Sequence, residues 1–521
     1  MRDRTGAAAR KFHEDTKHSF QSVRSGSHFL DFSNQPMPFK VYTDLAPVPL
    51  PPEPPRAAMD AIRAVSSGGE KAAAPETLSL ETLARLFFLT AGITKKIEAG
   101  GQPHYFRAAA CTGALYHIEP YLICGDVPGG LSAGVHHLAV HDYSARCLRR
   151  GDYRPAIAEA LGRGDPPEAA FVFTSTYWRN SWKYRSRAYR HCFWDSGTML
   201  ANFLAAAASF GIAAQINTGF ADGQVNGLLG VDAGEEASLV VVELGERHPF
   251  HGGSPDVAPV SFETAPLSAN PIDYPAIREI HEASSLGSGD AVREWRLGAE
   301  EFRGETPKVP SGAGEGAGED EFPVFPLAEG ESSGDSIDDV ILRRGSARRF
   351  GRRPIRFEDL SLLLRAAVRS LPADFLPEGK PALNELFLIV NAVQGLPAGS
   401  YYFDRRRDAL VQLREGDFRP EAGHLGLDQE LAADASVSVY FLSDLEKVLH
   451  AFGDRGYRAA QLEAGVMGGK LYLGAYAQGL AASGLTFYDD EVISFFGPRA
   501  HGKEVMFLML LGRRMSPTFR M

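Results

Sequence analysis

The densest chemistry in this 521-residue chain lies at Arg343-Arg-Gly-Ser-Ala-Arg-Arg-Phe350, followed by Pro354. Arg344 and Arg348 flank Ser346 at short range. Two guanidinium forks, the Ser346 hydroxyl and the N–H groups around Gly345 can wrap a phosphate. The alternative is a solvated basic stretch at a domain edge. Tyr177, Trp178, Trp182 and Tyr184 form an aromatic group that either lines a substrate pocket or belongs to a core. His13, His18, His136 and His137 lack carboxylate or cysteine partners at ligand spacing, so they are expected to be structural, with no metal bound. On a strand, His136 and His137 face opposite sides. The four cysteines (Cys111, Cys124, Cys147, Cys192) form no Cys-x-x-Cys, which argues against disulfides and zinc. No Gly-x-Gly-x-x-Gly follows a strand, so no Rossmann-type nucleotide site is expected.

These residues need elements to hold them. The length exceeds one ordinary core and favours two domains. A net charge of −11 disfavours nucleic acid. The apolar runs, such as 200–216 and Val505–Leu511, are too short or too weak to span a bilayer. Residues 1–19 have no apolar signal core, and a cytoplasmic protein is expected. The chain also repeats itself. Leu131-Ser-Ala-Gly134 returns as Leu396-Pro-Ala-Gly399, and Gly151-Asp-Tyr-Arg-Pro155 as Gly416-Asp-Phe-Arg-Pro420. Arg187-x-Tyr-Arg190, Asp195-x-Gly197 and Gly211-Ile-Ala-Ala214 return as Arg455-x-Tyr-Arg458, Glu463-x-Gly465 and Gly479-Leu-Ala-Ala482, all at a spacing of 268. A constant register of this kind signals duplication.

The expected organisation is an extended arm over 1–75, a first domain over 76–247, a connecting segment with an acidic Gly/Glu-rich linker over 248–336, and a second domain over 337–521. In the first domain the pattern predicts a helix from Leu78 and strands at Tyr121–Cys124, Ala170–Thr174 and Ser238–Leu244. A buried helix is expected at Gly197–Phe210. In the second it predicts strands at Leu386–Val390, Val437–Phe441 and Val505–Leu511, with a helix at Gln461–Ala477. Each domain is α+β, a helix-covered mixed or antiparallel sheet.

Arg-x-Ser-x-Arg-x-Phe near the start of such a domain resembles the FMN-binding entry of the nitroreductase superfamily. Arg107-Ala-Ala-Ala-Cys-Thr-Gly-Ala-Leu-Tyr116 is similar to that family's Arg-x-x-Pro-Ser-x-Gly-Ala-Leu-Tyr loop. Lys183-Tyr184, with Asp195-x-Gly197, resembles the Lys-Tyr motif of the SagB-type thiazole/oxazole dehydrogenase branch. Gly484-Leu485-Thr486 resembles the segment that leads to the flavin ring, and Leu511-Gly-Arg513-Arg514 a strand end that adds a phosphate-binding arginine.

The resemblance implies two nitroreductase-like domains forming an intramolecular pseudo-dimer, with FMN at their interface. The second copy would supply the phosphate clamp (Arg344, Gly345, Ser346, Arg348, with Arg513 or Arg514). The first would supply the crossing loop (Ala110, Cys111, Thr112), where Ala-Cys stands for the family's Pro-Ser. The first copy has no Arg-x-Ser-x-Arg near 66–76, and the second has Ala451-Phe452 in place of Lys183-Tyr184. One FMN per chain is therefore expected. Lys183 or Tyr184 would handle a proton while hydride is exchanged with flavin N5, Tyr184 being helped by Arg185, Arg187 and Arg190 stabilising its phenolate. The residues alone also allow an exposed basic segment in which Tyr184 merely packs. The substrate would be a small molecule or an azoline-type peptide, with NAD(P)H as a transient electron donor in the reductive version. Further homo-oligomerisation stays open. The alternative is a degenerate protein that binds flavin or another ligand without turnover.

Overall fold

The computed structural model describes residues 5–25, 29–67, 78–99, 101–250, 255–304, 322–376, 379 and 382–515. Two seven-stranded antiparallel sheets share one strand order. In the first, Pro47–Pro49, Ser144–Arg150, Gly134–Ala139, Ile118–Cys124, Pro167–Thr176, Glu236–Arg247 and Ala214–Asn217 follow each other across the sheet. In the second the order is Val324–Pro326, Ala409–Glu415, Gly399–Asp404, Glu385–Val390, Val437–Ser443, Glu504–Gly512 and Ala481–Leu485. The central strands are buried on both faces. This is why they read as continuous apolar runs rather than as alternation.

Two central helices, Ala188–Ser209 and Arg455–Ala477, are buried along nearly their whole length. A helix buried on all sides must pack on more than one neighbour. Here each lies against its own sheet and against the other central helix. They meet at Gly197 and Gly465, which are related by the 268-residue register. A Cβ on Gly197 would come 2.5 Å from the Gly465 carbonyl carbon, and one on Gly465 2.7 Å from the Phe193 oxygen. Only glycine permits this approach. Equivalent residues touching one another place the pseudo-twofold axis between them. One apolar core runs through both units.

Reciprocal buried ion pairs reinforce the axis. Asp222 of the first unit accepts from Arg455 (2.6 Å) and Arg458 (2.7 Å) of the second. Asp489 of the second accepts from Arg187 (3.0 Å) and Arg190 (2.7 Å) of the first. Two short helices roof these pairs. Arg190 Nη2 donates to the His13 carbonyl (2.6 Å) in Ala7–Asp15, and Arg458 Nη2 to the His281 carbonyl (2.6 Å) in Pro275–Ala283. His13 and His281 keep the same 268-residue spacing.

The segments expected to be arm and linker therefore do more than connect. Each contributes a roofing helix and a proline-flanked edge strand, Pro47–Pro49 or Val324–Pro326. Part of the connecting segment forms two further helices, Gly289–Arg296 and Gly298–Gly304. The acidic stretch 310–321 lies outside the described residues. Among the described residues, no helix is long and apolar enough to cross a membrane.

Candidate functional site

The site is built on the loop after Arg107. One face of the first central helix pins it residue by residue. Asn202 Nδ2 donates to the Ala108 carbonyl (3.1 Å), and Thr198 Oγ1 to the Ala110 carbonyl (2.7 Å). Asp195 accepts from the Thr112 N–H (2.9 Å) and the Thr112 hydroxyl (2.9 Å). Positions 195, 198 and 202 share a helix face, so three side chains can hold one loop. The Cys111 thiol turns inward and donates to Asp195 (3.1 Å), leaving the loop backbone as its outward chemistry. Burial and the neighbouring Asp195 push this thiol well up from its ordinary pKa.

The second unit reaches across to the same loop. Arg344 Nε donates to the Ala108 carbonyl (2.9 Å) and Nη2 to the Arg107 carbonyl (3.2 Å). The Arg344 guanidinium also sits over the Tyr472 ring at 5.6 Å. Tyr472 is a hub: its hydroxyl lies 3.0 Å from Ser346 Oγ and accepts the Gly484 N–H at 2.7 Å. Gly345 N–H donates to the Tyr476 hydroxyl. Thr486 Oγ1 is buried without a hydrogen-bond partner, and Leu485 packs near Gly426. Arg348 and Arg514 are exposed and Arg513 is half-buried. Arg513 donates to the Pro354 carbonyl (3.0 Å), and the short bridge Phe350–Arg514 holds the two basic segments together. Unlike Arg343, Arg352 and Arg356, these three arginines have no carboxylate partner among the described residues.

Lys183 and Tyr184 end the helix Tyr177–Tyr184. Tyr184 stands over Gly113, whose φ is +65°; a Cβ there would come 2.8 Å from the Tyr184 hydroxyl. Lys183 Nζ lies 5.2 Å over the Tyr184 ring, and His191 packs edge-on to that ring at 4.6 Å. The expected help from Arg187 and Arg190 is absent, because both are committed to Asp489. Burial raises the Tyr184 phenol above its ordinary range. Asp195 and Cys111 add to this, and only Arg348, from the second unit, opposes it. Tyr184 is therefore a neutral phenol, contrary to the sequence expectation of a stabilised phenolate. Tyr177, Trp178 and Trp182 are core residues, the two indoles donating to Ser268 Oγ (2.9 Å) and the Asp31 carbonyl (3.0 Å). His136 and His137 are buried in the first sheet, His137 against Glu119 at 3.0 Å.

The pseudo-symmetric half is filled by the chain itself. Leu371–Leu376 of the second unit adds to the edge of the first sheet: Ile216 N–H donates to the Pro372 carbonyl (2.8 Å), and Asp374 N–H to the Ile216 carbonyl (3.0 Å). The Asp374 carboxylate takes the N–H groups of Thr218 and Gly219, both at 2.9 Å, and pairs with Arg296. Thr218 is the register equivalent of Thr486. Trp295 donates to the Phe452 carbonyl (3.0 Å) and packs tilted against that ring, Phe452 being the register equivalent of Tyr184. Most of the first unit's sequence counterpart to the arginine clamp, 66–76 with Lys71, falls in 68–77, outside the described residues.

Asp195 stood out in the sequence through the repeat and beside the Lys-Tyr motif, but not as the anchor of the loop. Sequence reasoning missed His117, whose Nε2 lies 2.9 Å from Asp195 Oδ2. The helical stripe Asp195, Thr198 and Asn202 was a readable signal once its loop partner was known.

A model of the nitroreductase family matches residues 138–246 and 341–513, together more than half of the chain. A protein of Methanocaldococcus jannaschii named as a nitroreductase is 25% identical over 188 residues, 34% of this chain and 91% of that protein. The trifolitoxin-processing protein TfxB of Rhizobium leguminosarum bv. trifolii is 29% identical over 194 residues, 35% of this chain but only 52% of TfxB. The crystal structure of a nitroreductase-named protein from Anabaena variabilis superimposes over 98% of this chain and 99% of its own, with a TM-score of 0.75 and 25% identity. Its whole length thus follows the same tandem arrangement.

Proposed function

This chain belongs to the nitroreductase family, and on that premise we propose that it is an FMN-dependent oxidoreductase with one flavin per chain. The observation that carries the proposal is the composite wall: Arg344 of the second unit bonds to the loop carbonyls of Arg107 and Ala108 in the first. The residues present fit the group. Arg348, Arg513 and Arg514 lack carboxylate partners among the described residues and can meet a phosphate, with Ser346 and the Gly345 backbone nearby in the chain. The buried, unpartnered Thr486 Oγ1 and the backbone of Gly484 and Leu485 can face a polar ring edge. The loop Ala110-Cys111-Thr112 would close the site from the first unit through its backbone. The filled mate half, with Asp374 on the Thr218 and Gly219 N–H groups, supports a single site.

When bound, FMN supplies the two-electron chemistry, exchanging hydride with a substrate stacked on its ring. The chain's own residues bind, exclude water and handle the proton. Tyr184, held neutral, is suited to donate a proton to a substrate that is being reduced. In the dehydrogenating direction Lys183, half-buried beside it, is the other group placed to take the proton. We infer a peptide azoline-type substrate of the SagB-type branch, and the likeness to TfxB, named as a trifolitoxin-processing protein, is in keeping with a processing role. A small electrophile with NAD(P)H as donor is the other version of the same chemistry.

The test is a visible spectrum and flavin count on the purified chain. One FMN per chain is expected, and Arg344→Ala with Arg348→Ala should abolish its retention. A chain with no flavin band and no FMN uptake on titration would overturn the proposal, and two FMN per chain would overturn the single site.

A further inference from the structure

Behind the crossing loop lies a cluster that no flavin role uses. Cys111 Sγ, His117 Nε2 and one Asp195 carboxylate oxygen all lie within 4.8 Å of one another. Sγ and Nε2 are 3.1 and 2.9 Å from Asp195 Oδ2. His117 and Asp195 are buried, and Cys111 is half-buried.

Two observations say that the cluster does more than hold the loop. First, the second unit holds its own loop with Glu463 and the Asn384 amide, without a thiol or imidazole among the described residues. Glu463, the register equivalent of Asp195, takes the N–H groups of Ala382 (2.8 Å), Leu383 (3.1 Å) and Asn384 (2.7 Å) and the Asn384 side-chain amide (3.1 Å), with no thiol or imidazole bonded to it among the described residues. Cys111 and His117 are therefore additions beyond what loop anchoring requires. Second, the surroundings match what orients metal ligands. His117 Nδ1 lies 2.8 Å from Ser175 Oγ, fixing the ring, and Asp195 is itself hydrogen-bonded by the Thr112 N–H and hydroxyl. Such outer contacts set ligand tautomer and orientation. A small cavity lined by Arg107, Tyr116, Met199, Cys111 and Asp195 adjoins two of the three ligands.

We propose that Cys111, His117 and Asp195 form a site for a borderline divalent cation of the Zn2+ class, tying the crossing loop to the first central helix. One sulfur, one nitrogen and one oxygen ligand suit Zn2+, with a water completing a tetrahedron. Zn–ligand bonds of about 2.0 to 2.3 Å set tetrahedral donors about 3.3 to 3.5 Å apart, so Sγ and Nε2 must each move a few tenths of an ångström away from Asp195 Oδ2. Binding breaks the Cys111 S–H bond, forms a metal–thiolate bond and releases one proton. Nε2 ligation requires the His117 tautomer with its ring proton on Nδ1, where Ser175 Oγ accepts it. The sequence hid the site because its ligands stand 6 and 78 positions apart, outside any compact ligand spacing.

The test uses the full chain as purified, dialysed against a chelator and titrated with Co2+. The visible ligand-field bands of tetrahedral Co2+ lie to the red of oxidised flavin, so both groups are read in one sample. One Co2+ per chain, bleached by Zn2+, with one proton released per ion, is expected. Cys111→Ser should lose the thiolate-to-cobalt band, and His117→Gln should bind at least tenfold more weakly, with far-ultraviolet dichroism confirming that both fold. Absence of tetrahedral bands in the folded, unsubstituted chain would overturn the site. So would equal Co2+ affinity in both variants. The flavin band in the same spectra reports separately on the FMN proposal, because the ion's ligands do not depend on it.

Discussion

Tyr184 and Gly113 are coupled by contact. Gly113→Ala would meet both a left-handed backbone and the Tyr184 hydroxyl, so a loss of about 1–3 kcal/mol is expected in a denaturation experiment. Adding Tyr184→Phe should recover part of it, because the clashing oxygen is gone; no recovery would mean that backbone strain alone sets the cost. Since burial holds Tyr184 protonated, the pH–rate profile should show no tyrosine ionisation near neutrality. Lys183→Ala should lower turnover while FMN is retained, and full turnover would remove Lys183 from the chemistry. The arginine cluster and the Lys-Tyr pair were legible in sequence because each is contiguous. Asp195 with His117 was not, because only folding brings the first central helix against the start of the strand Ile118–Cys124.

The elements are locked by ionisable groups that give the fold a pH dependence. Arg455 and Arg458 hold the Asp222 carboxyl at about 2, against the ordinary 3.8, in spite of its burial. A depressed carboxylate stabilises the fold above its unfolded pKa, and that contribution is lost as pH falls from about 4 through about 2. Asp222→Asn should remove this acid limb and cost about 3–5 kcal/mol at neutral pH, because it leaves two buried arginines poorly paired. Lys470 behaves in the opposite sense. Burial lowers its ammonium from 10.5 to about 7, so folding disfavours the charged form, and stability falls as pH drops from about 10.5 to about 7. Lys470→Met should flatten that slope in unfolding measured across this range. Strands such as Val437–Ser443 and both central helices were legible from their unbroken apolar runs. The roofing helices Ala7–Asp15 and Pro275–Ala283 were not, because they are short and polar outside. Their one signal, His13-Glu14 repeated as His281-Glu282 at the same register, is too brief to stand out alone.

At the scale of the molecule, each unit completes the other. The ion pairs, the two roofing helices and the Gly197–Gly465 contact all bury residues against the opposite unit. Residues 1–304 and 322–521 produced as separate chains in one cell should therefore copurify as a one-to-one complex. Either piece made alone should be poorly soluble, and a piece that is monomeric and folded by itself would contradict this dependence. The filling of one half by Asp374, Arg296 and Trp295 has a consequence for how the chain tolerates change. In a symmetric homodimer every substitution strikes both sites, so each position answers to two constraints at once. Here the two halves are separately encoded. A saturation mutagenesis survey should therefore give mirror-image tolerance at Arg187, Arg190, Arg455 and Arg458, and opposite tolerance at Tyr184 and Phe452. The same fold would read as two unlike inheritances written at a fixed interval.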